Sequence, residues 1–142
     1  GRINKILLKK LESINFYNKR APKSLSREWV EKNIHPIIND INIKTEDKIS
    51  TFTEHIAIEI SKILKDNSVL ITGGGALNRY LIERIKTYST SKIIIPSTKL
   101  INFKECLIFG LLGVLKIRNE DNCLKSVTGA KRNNCGGVIF HK

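Results

Sequence analysis

The stretch Ser68-Val69-Leu70-Ile71-Thr72-Gly73-Gly74-Gly75-Ala76-Leu77-Asn78 runs a short apolar segment into three consecutive glycines, and helical spacing resumes at once through Leu81, Ile82 and Ile85. No other feature limits the fold as strongly. The apolar run at 68–72 is bounded by Asp66-Asn67 and by the glycines, which predicts a strand covered on both faces. A strand that ends in glycine and turns into a helix sets unhindered backbone, and the N–H groups of the helix start, at the carboxyl edge of a sheet. Glycine there supplies positive φ and lets another group approach the main chain. Two readings stand side by side: a tight strand-to-helix turn, and backbone contact with a nucleotide. The spacing is neither GxGxxG nor GxxxxGK[ST], and no lysine follows the glycines, so the dinucleotide and P-loop classes lose support.

The flanking chain supplies the rest of an α/β unit. Ile3, Ile6, Leu7, Leu11 and Ile14 fall three to four apart and predict an amphipathic helix. Ser24 or Ser26 is placed to cap a second helix through Trp29, Val30 and Ile34, with Pro36 as its end or kink. Thr45 is placed to cap a long helix over 46–65, whose buried stripe is Ile49, Phe52, His55, Ile56, Ile60, Ile63 and Leu64. After the glycines come a helix over 78–88, a buried strand over 92–95 stopped by Pro96, and an apolar helix over 103–117. Gly110 and Gly113 in that last helix allow close packing. The tail is expected to hold a small strand at Val138-Ile139-Phe140. Strand, helix, strand, helix in this order is a parallel βαβα unit preceded by helices. Two strands make a thin sheet.

At 142 residues the chain suits one domain, or part of one. No apolar run approaches the length of a membrane span, and no transmembrane helix is expected. The net charge of +12 invites a nucleic-acid reading, but the lysines and arginines are scattered and the aromatic content is only 6%, without a basic block interleaved with stacking rings. Three cysteines, Cys106, Cys123 and Cys135, form no CxxC pair and leave an odd count. Reduced thiols in a cytoplasm fit best, and neither a disulfide framework nor a zinc site is expected. The chain begins Gly1-Arg2 with no export signature, and this is not read as a natural start.

Few side chains declare chemistry. Glu105 near the start of the predicted apolar helix is explained by the helix dipole, or else faces a cleft where it orients a hydroxyl or water. His35, His55 and His141 have no partner at metal-ligand spacing, so no metal site is expected. Lys23 and Arg27 could bind an anion, although a helix cap explains that segment equally well. Ser126-Val127-Thr128-Gly129-Ala130 offers hydroxyls beside a glycine and is unspecific.

Four segments taken in order, APKSLSREW at 21–29, LITGGGALNRYL at 70–81, FKECLIFGLLG at 103–113 and LKSVTGAKRNNCGG at 124–137, resemble the anhydro-N-acetylmuramic acid kinase family. The resemblance covers essentially the whole chain and matches the family's C-terminal part. It implies an α/β fold: the C-terminal portion of the second lobe of an actin-like, ribonuclease H-like ATPase. It implies a parent enzyme that uses ATP and Mg2+ to phosphorylate 1,6-anhydro-N-acetylmuramic acid while water opens the anhydro ring, in peptidoglycan recycling. The product is N-acetylmuramic acid 6-phosphate. By resemblance Gly73, Gly74, Gly75, Ala76 and Asn78 belong to the adenosine-side loop, and Glu105 faces the sugar and the attacking water. Pro22, Lys23, Ser24, Arg27 and Glu28 match a motif of unassigned role.

The family's phosphate-binding loop and its DTGPGN segment, with the catalytic aspartate, have no counterpart here, and Asp40, Asp47, Asp66 and Asp121 stand in the wrong contexts to replace it. The upstream lobe and the catalytic segment are therefore expected to be absent from these residues, the Mg2+ and phosphate contacts to come from that missing part, and the chain alone to be inactive. The full-length protein is expected to be a cytoplasmic bacterial homodimer acting on an amino sugar, with no membrane or nucleic-acid partner. A free sheet edge predicts self-association of the isolated piece. The contrasting reading is a non-catalytic basic module that holds nucleic acid or a phosphorylated partner.

Overall fold

The computed structural model describes residues 1–20 and 23–140. Ala21, Pro22, His141 and Lys142 lie outside the described residues, and with them the expectations placed on Pro22 and His141. The chain divides into two compact units, Gly1–Ile95 and Pro96–Lys142.

In the first unit α1 spans Lys5–Glu12, α2 Asn15–Asn18, α3 Arg27–Asn33, α4 His35–Asn39 and α5 Thr45–Ser61. Asn4 caps α1, its side chain accepting from the Leu7 N–H at 2.9 Å, while its own N–H donates to Thr51 Oγ1 of α5 at 2.8 Å. The cap thereby fixes α1 against α5 as well as starting it. Ser26 rather than Ser24 caps α3, and Pro36 sits in the first turn of α4, where its missing N–H costs nothing. Leu7, Leu11 and Ile34 are fully buried here among Trp29, Val30 and Phe52. Each such side chain contributes about 1.5–3 kcal/mol over its exposed state.

The long helix departs from expectation in three ways. Thr45 is its first residue rather than its cap, and the dipole is met instead by Glu46 and Asp47 in the first turn. It ends at Ser61, so Ile63 lies beyond it and is exposed. Its buried face carries Ser50, Thr51, Thr53, Glu54, His55 and Ala57, whereas Ile49 is 62% exposed. The hydroxyls of Thr51, Thr53 and Ser61 donate to the carbonyls of Asp47, Ile49 and Ala57 one turn back. Small polar residues that satisfy themselves in this way pack closely without an unpaired group.

Strand β1, Ser68–Leu70, pairs in parallel with β2, Lys92–Ile94, in the register Ser68 to Lys92 and Leu70 to Ile94. Helix α6, Arg79–Tyr88, forms the crossover. It packs Ile82 and Ile85 with Ala57 of α5 into a second cluster that also takes in Ile71 and Ile93. Within this unit the strands are not covered on both faces: Leu70 is 56% exposed, and each strand alternates exposed, half-buried, exposed.

In the second unit α7 spans Thr98–Ile117 and starts five residues earlier than the apolar run suggests, because Ser97 caps it by accepting from the Leu100 N–H at 3.3 Å. The single turn α8, Lys125–Thr128, is ended by Gly129 in the left-handed region at φ 72°. Val138-Ile139-Phe140 forms no strand, and the tail is tied instead by one antiparallel bridge between Cys123 and Asn134.

Candidate functional site

The glycine turn is built from its backbone upward. Gly73 has φ 81° and ψ 178°, a conformation open essentially to glycine alone. It lets the chain leave β1 and wind directly into a short 3-10 turn, Gly74–Leu77, before α6. The Gly73 carbonyl accepts from the Ala76 N–H at 3.0 Å and the Gly75 carbonyl from the Asn78 N–H at 3.1 Å. Asn78 then caps α6, its Oδ1 accepting from the Leu81 N–H at 3.1 Å. Ala76 is buried beneath the turn, and Asn78 is exposed.

Only Gly73 is held by its φ; Gly74 and Gly75 stand at ordinary angles. Among the described residues a Cβ built on Gly74 would meet no atom within 4 Å, and one on Gly75 only the Leu81 side chain at 3.9 Å. Neither backbone geometry nor packing among the described residues requires glycine at those two positions. The N–H groups of Gly74 and Gly75 have no partner among the described backbone hydrogen bonds. Just before them the buried Thr72 Oγ1 lacks a hydrogen-bond partner among the described residues. A cavity of about 340 Å3 opens beside the turn, lined by Ala76, Leu77, Arg79, Ile82, Glu83, Lys86 and Ile95. That volume is at the small end for ligand pockets. Arg79, Glu83 and Lys86 are spaced to pair along α6, yet none forms a salt bridge among the described residues. Open main chain, unpaired charge and an apolar floor suit a nucleotide, whose phosphates and sugar need close approach and whose base needs apolar surface.

Behind α6 lies a polar cluster that sequence reading did not find. Glu54 of α5, 1% exposed, accepts from Arg84 Nε at 2.5 Å, from Arg84 Nη2 at 2.7 Å and from the Tyr88 hydroxyl. Burial works to raise the Glu54 carboxyl, but the hydrogen bonds from Arg84 and Tyr88 and the Arg84 charge outweigh it and hold the group below its ordinary value. Arg84 is correspondingly raised, chiefly by its bonds to Glu54. The available signal was an Arg-Tyr pair four apart on α6 and a glutamate inside the apolar periodicity of α5. Neither names the other.

Glu105 belongs to the second unit and is exposed. Because α7 begins at Thr98, Glu105 lies two turns inside the helix and not in its first turn, so the dipole no longer accounts for it. In the 23–28 segment Lys23, Ser26, Arg27 and Glu28 find local partners. Lys23 Nζ donates to the Tyr17 carbonyl at 2.8 Å at the end of α2 and lies 5.3 Å from the Phe16 ring centre. Ser26 caps α3, and Arg27 Nε meets Glu31 Oε1 at 2.8 Å. Glu28 is held below its ordinary value by a backbone N–H and then by the Ser26 hydroxyl. Ser126 to Ala130 is likewise a helical turn with its glycine stop. Among the described residues no three of His, Cys, Asp and Glu stand together as a metal site, all three cysteines are free, and no helix is long and apolar enough to cross a membrane.

Helices around a parallel two-strand βαβ unit, with an open glycine turn after its first strand, define an α/β protein. Comparison with known proteins makes this specific. The family model described as anhydro-N-acetylmuramic acid kinase matches residues 1–142, and the chain belongs to that family. Similar curated proteins are the anhydro-N-acetylmuramic acid kinases of Saccharophagus degradans, 29% identical over 99% of this chain and 40% of the relative, and of Sulfurovum sp., 30% identical with the same coverage. That of Mannheimia succiniciproducens is 29% identical over 100% of this chain and 42% of the relative. The chain thus spans about two fifths of the length of the curated relatives it matches.

Proposed function

We propose that these residues are the C-terminal portion of the second lobe of an actin-like, ATP-dependent kinase acting on 1,6-anhydro-N-acetylmuramic acid in the bacterial cytoplasm. ATP, water and the anhydro sugar are consumed together. Opening the ring frees the oxygen at carbon 6 that takes the phosphoryl group, giving N-acetylmuramic acid 6-phosphate for peptidoglycan recycling. ATP supplies that phosphoryl group with Mg2+, and catalysis of such a transfer rests on positioning and on electrostatic stabilisation.

The part of these residues is to hold the adenosine side. Gly73, Gly74 and Gly75 offer main chain, Ala76 closes the floor of the turn, and Asn78 presents an amide at the start of α6. The cavity rim of Arg79, Glu83 and Lys86 lies next to them. Glu105 serves the sugar and water side. The Mg2+ and γ-phosphate contacts, and the residue that activates water, belong to the rest of a family-length chain, which works as a homodimer. The observation that carries this reading is Gly74: it has no positive φ and, among the described residues, no neighbour that excludes a side chain, so the approach of a ligand gives its glycine a reason.

Gly74→Val tests it, because the added side chain enters open space and leaves the fold intact. Titration with Mg·ADP, followed by amide hydrogen exchange, is expected to slow exchange at residues 73–78 in the parent chain and to lose that effect in Gly74→Val. Identical behaviour of the two chains overturns the adenosine assignment. The 142-residue chain given ATP, Mg2+ and the anhydro sugar is expected to release no ADP above background, and sugar-dependent turnover by it alone overturns the division of labour.

A further inference from the structure

We propose that α2 is a flap which protonation of His55 opens, a local movement that leaves α1, α3 and α5 folded. Every residue involved lies in the first unit. His55 is 1% exposed, and neither ring nitrogen has a partner among the described residues. A neutral imidazole in such a place forgoes two hydrogen bonds, whereas an imidazolium there is a buried charge with two unmet donors. Protonation therefore calls for a new acceptor or for water.

The nearby acceptors are engaged. Glu59 stands one turn beyond His55 on α5, and its Oε1 meets Lys62 Nζ at 2.5 Å. Glu54, next to His55 in sequence, accepts from Arg84 and Tyr88 of α6. Burial holds the imidazole neutral, Glu59 favours the proton and Lys62 opposes it. From α2 the titratable group against the ring is Tyr17, whose hydroxyl burial and then Glu59 keep protonated. α1 and α3 contribute Leu7, Leu11 and Trp29 to the adjoining cluster with Phe52.

Water has its easiest entry through α2. This helix is a single turn, Asn15–Asn18, without a side-chain cap, and it lays Tyr17 edge-on to the imidazole at 4.8 Å. Four residues do not sustain a helix by themselves. What holds α2 is local: the Tyr17 N–H donates to the Ile14 carbonyl at 3.2 Å, Lys23 Nζ donates to the Tyr17 carbonyl at 2.8 Å, and Phe16 packs on Trp29 at 4.8 Å. A cavity of about 330 Å3 adjoins the turn, and Phe16, Tyr17, Lys23, Glu59 and Lys62 help to line it. Tyr17 both lines this space and touches the ring, so lifting it lets water reach His55.

Amide exchange of the 142-residue chain between pH 7.5 and 5, corrected for the intrinsic rate, tests the flap. The Tyr17 and Lys19 amides are both bonded across α2. At pH 7.5 their protection is expected to lie at least ~100-fold below that of Ala57 inside α5 and not to respond to low urea, as for a local opening. Below the ordinary histidine value it is expected to fall by up to ~10-fold per pH unit, and His55→Phe is expected to abolish that fall. Lys23→Met removes a hold on α2 and keeps the imidazole, so it is expected to lower protection at every pH and to preserve the slope. The parent and Lys23→Met carry the comparison if His55→Phe does not fold, with the His55 ring proton shifts expected to move over the same pH range. Measurable protection at Tyr17 and Lys19 that is independent of pH overturns the flap, and means that Glu59 leaves Lys62 for the imidazolium. Absence of protection at pH 7.5 also overturns it, since α2 is then never closed. So does a fall shared by Tyr17, Lys19 and Ala57 with one urea dependence, because the proton then enters only by global unfolding.

Discussion

His55 ties the stability of the fold to pH. Its imidazole is 1% exposed, packed edge-on to Tyr17 at 4.8 Å and stacked with Phe52 at 6.3 Å, and neither ring nitrogen has a partner among the described residues. Burial lowers its proton affinity; Glu59 opposes the shift, and Lys62 adds to it. A folded pKa below the unfolded one means that the unfolded chain takes up the proton first. The contribution of neutral His55 is complete above the ordinary histidine value and is lost as pH falls below it, at up to ~1.4 kcal/mol per pH unit. Urea unfolding between pH 7.5 and 5 is expected to show this slope in the parent chain and a flatter one in His55→Phe. The spacing of α5 already places His55 on a packed face. Its missing partners could not be read there, because they depend on which rings α2 lays across it. The glycine turn divides similarly: three glycines announce a turn, but only the backbone separates Gly73, fixed by its φ, from Gly74, fixed by nothing among the described residues.

Among elements, the joint between α5 and α6 holds the turn in place. Glu54 and Arg84 are thirty residues apart and meet only because the crossover helix packs on α5. Removing one partner strands a buried charge, so Arg84→Ala is expected to cost about 3–5 kcal/mol. Glu54→Gln, which keeps the shape and removes the charge, is expected to cost less, and denaturant midpoints order the two. In the parent chain the depressed Glu54 carboxyl gives stability that is present above the ordinary glutamate value and is lost as pH falls through its folded one. Sequence periodicity finds α1, α6 and a strand on either side of α6, although Ile6, Leu70 and Ile94 stay exposed. It fails on α5, whose hydroxyls satisfy themselves one turn back and let a polar face turn inward. It also starts α7 late, because the Ser97 cap and the first turn lie outside the apolar run.

Across the whole molecule two forces oppose each other. The apolar surface of α7 favours association, while a net charge of +12 resists it. Salt screens the second force and leaves the first in place. Sedimentation of the isolated chain is expected to show an apparent mass that rises as sodium chloride goes from 50 to 500 mM, and a mass that falls would mean that charge pairing drives association. At this scale the order of four short motifs carries the family, and the chain matches the family model throughout. What the motifs do not convey is which surfaces stay uncovered. The glycine turn also sorts the pressures acting on this gene. Screening random variants for solubility alone would preserve position 73 and let position 74 drift, while enrichment on immobilised nucleotide would preserve both, so the variation tolerated at two adjacent codons distinguishes a chain kept for its shape from one kept for its work.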